Sequence, residues 1–137
     1  MRRKITSVAL MLLLPMMLFG ANAKPSKPFL IQGKLPHLTM DVKTLWDDEE
    51  FALTNKQKER LLAIRKETIS QAKALNKKIM ALENKIVKAS FDGVEPSELK
   101  DDVYKLAKLR AKATMVHLNC LYNTRKVLTK KQLSLVE

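Results

Sequence analysis

The chain has 137 residues, 26 Lys or Arg against 14 Asp or Glu, and a formal net charge of +12. That length suits one domain. One Cys, two His and three Gly exclude a disulfide framework, a zinc-finger ligand set and a glycine-rich phosphate loop, so no enzyme and no cofactor are expected.

The positive start Met1-Arg2-Arg3-Lys4, the uncharged apolar run Ile5 to Phe19 and the small-x-small sequence Ala21-Asn22-Ala23 predict a secretory signal over 1–23, cleaved before Lys24. The run holds about 15 residues and includes Pro15, short of the roughly 20 that span a bilayer, so no stable membrane insertion is expected. A chain exported in this way is expected in the periplasm. Removing Arg2, Arg3 and Lys4 takes the net charge from +12 to +9. Export also removes nucleic acid as a partner and leaves acidic or unstructured polypeptides and anionic headgroups.

Residues 24–38 hold Pro25, Pro28 and Pro36 and are predicted to be extended, with a single helical domain over 39–137. A short helix is expected from about Thr39 to Glu50, carrying Met40, Val42, Leu45 and Trp46. After it comes Leu53-Thr54-Asn55-Lys56-Gln57, a pattern repeated as Leu128-Thr129-Lys130-Lys131-Gln132. In each copy the Thr fits an N-cap and the Gln fits the third helical position, the capping-box arrangement. In the second copy Leu128 and Leu133 also fit a hydrophobic staple, where the first copy offers Lys58.

Between the motifs, apolar residues recur at helical spacing through Leu61, Ala72, Leu75, Ile79, Leu82, Ile86 and Ala89, with Leu62 and Ile69 beside that stripe. Gly93 and Pro96 then predict a turn and a new helix start. The second stripe runs through Leu99, Leu106, Leu109, Ala113, Val116, Cys120 and Val127. The layout is all-α, short-long-long-short, around a long helical hairpin. Two such long helices leave a meagre core for one chain, so a second subunit is expected.

Charge is divided along this layout. Residues 54–90 carry ten Lys or Arg against Glu59, Glu67 and Glu83, whereas Asp41, Asp47, Asp48, Glu49 and Glu50 oppose only Lys43 ahead of the first motif. Plain solvated helix faces would also carry such runs. Read functionally, Arg60, Leu62, Arg65, Lys66, Ile69, Lys73 and Lys77 are the candidates for a surface that captures unfolded chains, by electrostatic attraction and non-directional apolar contact. For Leu62 and Ile69 the alternative is core or subunit interface.

The paired L-T-x-x-Q motif, the export signal, the basic balance and the four-helix order resemble the Spy/CpxP family of periplasmic stress proteins, which includes zinc resistance-associated and heavy-metal sensor proteins. The resemblance runs from about Leu35 to Glu137. It implies an antiparallel, cradle-shaped homodimer that binds unfolded or misfolded proteins without ATP, and a mainly architectural role for Leu53, Thr54, Gln57, Leu128, Thr129 and Gln132. It also implies alternatives, a modulator of a sensor kinase's periplasmic domain or a metal sensor. For the metal reading the residues offer His117 and Cys120, three apart on one helical face, with His37 or Met40 able to join. A small buried Cys beside a satisfied His is the plainer account, and no metal is favoured. Cys120 could alternatively cross-link two subunits.

Overall fold

The structure is a computed structural model and describes residues 27–136. The secretory signal expected over 1–23 lies outside the described residues. Four helices follow in order: α1 Leu38–Thr44, α2 Asn55–Phe91, α3 Pro96–Val127 and α4 Lys130–Ser134. The described residues contain no strand, and none of their helices is long and apolar enough to cross a membrane. The protein is all-α in the expected short-long-long-short order.

Local chemistry sets most of the boundaries. Thr54 and Thr129 are extended N-caps, each closing a full capping box. Gly93 takes φ +78, the left-handed geometry that closes α2 with little steric cost for glycine, and Pro96 sits at the start of α3. The first helix departs from expectation: it ends at Thr44 rather than Glu50. Negative charge is unfavourable at the last turn of a helix, and Asp47, Asp48, Glu49 and Glu50 would occupy that turn. Asp48 instead closes a tight loop, its Oδ1 accepting from the amides of Glu50 at 2.9 Å and Phe51 at 2.8 Å.

The 37 residues of α2 and 32 of α3 make an antiparallel pair about 50 Å long. Packing is concentrated at the end that holds the motifs. There Val42, Phe51, Leu61, Val127 and Leu128 are buried together, with Leu45, Trp46, Leu53, Ile64, Leu133 and Val136 packed against them. Farther along, only Ile79, Leu82, Ala113 and Cys120 among apolar residues are buried between the long helices. The segment Lys27–His37 has no regular structure and lies along α3 as a strap.

Candidate functional site

The two motifs meet. Gln57 Oε1 accepts from the Thr54 amide at 3.0 Å and Gln132 Oε1 from the Thr129 amide at 2.9 Å. Each glutamine amide then reaches across to the other motif. Gln57 Nε2 donates to Gln132 Oε1 at 2.8 Å and to the Val127 carbonyl at 2.9 Å; Gln132 Nε2 donates to Gln57 Oε1 at 3.3 Å and to the Phe51 carbonyl at 2.9 Å. The caps of α2 and α4 therefore form one hydrogen-bonded clasp, with Gln132 buried in it. Every donor and acceptor of these side-chain amides is engaged inside the protein, which leaves them little to offer a ligand.

On α2 the expected capture residues separate into groups. Leu62 and Ile69 are exposed, and the same helix exposes Met80, Val87 and Phe91. At about 100° per residue these five fall within roughly 40° of one another, a line about 44 Å long. Lys73 lies in that line and Lys66 and Lys77 flank it, all three exposed. Among the described residues none of these three lysines makes an ion pair. Arg65 is half-buried, its guanidinium 3.3 Å from Met40 Sδ. Arg60 is about 160° around the helix from the line, where it borders a groove with Ala63, Ile64, Asn123 and Lys126. Met80, Val87 and Phe91 were not among the sequence candidates, although their spacing from Ile69 continues the same line.

A second exposed apolar line runs along the outer face of α3. Tyr104, Met115 and Tyr122 are 59%, 53% and 58% exposed and lie within about 20° of each other. A pocket of about 400 Å³ separates α1 from α2, lined by Val42, Trp46, Leu61 and Leu62 with Lys43 and Arg65 at its rim.

Beneath the strap, His117 is buried. Its ring stacks on His37 at 4.9 Å and lies 5.0 Å from Phe29. Nε2 is 3.1 Å from the Pro36 carbonyl, which can only accept, so Nε2 carries the proton and the neutral ring leaves Nδ1 as an acceptor. That Nδ1 is buried without a partner. Burial lowers the pKa of His117 below 6.5, reinforced by His37 and Lys27 and opposed by the Pro36 hydrogen bond. Cys120 is a buried free thiol lining the same cavity as His37, Met40 and His117. Among the described residues no three His, Cys, Asp or Glu side chains come together as a metal site.

Comparison with known proteins gives no matching family model, no matching curated protein and no matching solved structure.

Proposed function

We propose that this chain is an exported, ATP-independent holdase of the Spy/CpxP kind, which captures unfolded or misfolded proteins in the periplasm and limits their aggregation. The observation that carries the reading is the line Leu62, Ile69, Met80, Val87 and Phe91, exposed along α2 and interleaved with lysines that have no acidic partner. Exposed apolar residues aligned on one helix face and rimmed by polar ones mark a binding face. A face that is long, narrow and cationic suits an extended acidic polypeptide: the charge raises the encounter rate, and apolar contacts tolerate many sequences.

The second line, on α3, is assigned to another copy of the chain. Tyr104, Met115 and Tyr122 are spaced eleven and seven residues apart, which keeps them on one seam, and aromatic residues and Met are enriched in the cores of interfaces. An antiparallel homodimer paired along this seam sets the thick motif end of one protomer beside the thin end of the other and leaves both α2 lines free, the arrangement of a cradle.

Light scattering by an unfolding acidic client, without ATP, tests the holdase. The protein at equimolar ratio is expected to suppress the signal. Lys66→Gln, Lys73→Gln and Lys77→Gln together are expected to slow capture several-fold and to flatten its dependence on salt, since exposed charges act over about 8–10 Å at ordinary ionic strength. Full aggregation in the presence of the wild-type chain would overturn the reading.

A further inference from the structure

Arg110, Thr114 and His117 stand four and three residues apart on α3, so they line one helix face, and each holds the strap by its backbone. An Arg110 guanidinium nitrogen donates to the Lys27 carbonyl at 2.9 Å. Thr114 Oγ1 accepts the Leu30 amide proton at 2.8 Å while donating its own to the Arg110 carbonyl at 2.9 Å. His117 Nε2 donates to the Pro36 carbonyl. The hydroxyl proton of Thr114 is committed inward, which leaves its oxygen facing the strap as an acceptor.

Backbone groups are the same in every polypeptide. A face that grips at three backbone points and imposes no demand on the side chains between them can accept any extended chain. Two strap rings also meet His117: Phe29, half-buried with its centroid 5.0 Å from that ring, and His37, stacked on it at 4.9 Å. The strap that fills the face is lightly held. Leu30 and Ile31 turn outward, 55% and 40% exposed, and Gln32 bonds only to the strap's own Lys27 and Phe29 carbonyls.

We propose that the α3 face carrying Arg110, Thr114 and His117 is a binding track for extended polypeptide bearing an aromatic residue, and that Lys27–Pro36 occupies it as a displaceable internal ligand. In naming unfolded clients as the competing occupants this rests on the holdase reading. The strap holds the track shut until a client segment, entering with its own aromatic side chain and backbone, takes its place. The α2 line and the track then bind the same client at two points, so each raises the effective concentration for the other.

The probe is a fluorescent synthetic peptide with the sequence Lys27–His37, titrated into the full chain and followed by anisotropy. In the wild type the tethered strap competes at an effective concentration in the millimolar range, so binding in trans is expected to be weak. In a Phe29→Ser chain it is expected to be at least tenfold tighter, and tenfold weaker again for a peptide carrying the same Phe29→Ser change. Adding Thr114→Val to the Phe29→Ser chain is expected to reduce affinity at least fivefold. Leu30→Pro, which removes the one strap N–H given to Thr114 and no buried side chain, provides a second opened chain should Phe29→Ser lose helical circular dichroism. Equal peptide affinity for opened and wild-type chains, or no effect of Thr114→Val, would overturn the track. Selective peptide binding by opened chains that fail to slow client aggregation would leave the track standing and remove the holdase; the converse pattern would remove the track alone.

Discussion

Two phenylalanines mark the unlike ends of the hairpin. Phe51, beside the motif clasp, is 1% exposed; Phe91, at the far turn, is 88% exposed. Around Phe51 the long helices are joined by α1, α4 and the loop after α1, so five buried apolar residues and six half-buried ones share one cluster. Around Phe91 only two helices meet, and two helices cannot enclose a ring on their outer surface. Stability is therefore gathered at one end, and the other keeps apolar surface exposed. A chain built this way does not have to unfold to expose that apolar surface.

The sharpest test sets the two rings against each other. Phe51→Ala is expected to lower unfolding free energy by about 3–5 kcal/mol, the usual cost of truncating a buried aromatic, a large share of the 5–15 kcal/mol typical of a folded domain. Phe91→Ala is expected to stay within about 0.5 kcal/mol while weakening client capture. Urea unfolding measures both. Similar losses at the two ends would mean that the far turn is packed against something in solution, and a seam between subunits that extends to the turn would be the first explanation to examine.

The clasp is the next largest effect. Gln132→Ala removes the half of one capping box that holds the Thr129 amide and leaves the Phe51 carbonyl and the Gln57 amide short of partners, a cost of about 1–3 kcal/mol. Gln57→Ala is expected to behave alike. Because the two side chains bond to each other, the double variant should cost less than the sum of the singles by at least about 0.5 kcal/mol. Additive losses in that cycle would show that the motifs act as separate caps. Thr54→Ala and Thr129→Ala, which touch only their own boxes, are expected to cost about 1 kcal/mol each.

What could be read from sequence follows the range of the forces involved. The caps at Thr54 and Thr129 and the turn at Gly93 and Pro96 depend on residues within a few positions, and their boundaries emerge where expected. The pairing of Gln57 with Gln132 spans 75 residues; a repeated motif shows that two similar helix starts exist, not that they face each other. The early end of α1 depends on an Asp48 side chain choosing loop amides over a helical turn, a competition that apolar spacing does not register. The α2 line was half legible: Leu62 and Ile69 stood out beside the stripe, but exposure of Met80, Val87 and Phe91 reflects how thin the far end is. The strap left the least trace, since Arg110 and Thr114 hold backbone atoms, which carry no sequence pattern.

The smallest expected effect on overall stability is also the one that singles out the strap. His117 is neutral beneath it, with a pKa held below 6.5 chiefly by burial and secondarily by His37 and Lys27. The charged or titratable groups around it are His37 and Lys27 from the strap, Arg65 from α2 and Cys120 from α3, and no carboxylate lines the cavity to welcome a proton. With the strap lifted, the ring meets water and returns toward its ordinary value. The open state thus binds a proton more readily than the closed one, and linkage requires that acid favour opening. Above about pH 7.5 the ring is neutral in both states and docking should not vary. As pH falls through 6.5 the open form begins to gain, and the gain continues until pH passes below the lowered pKa of the docked form, where it levels off. Hydrogen exchange at the Leu30 amide, corrected for the intrinsic rate at each pH, reports this equilibrium directly because that proton is given to Thr114 Oγ1. Its protection is expected to fall as pH drops below 6.5 while protection in the middle of α2 holds steady, and His117→Asn should remove the dependence. Unchanged protection at Leu30 as pH falls below that value would show that lifting the strap does not change the ring's affinity for a proton.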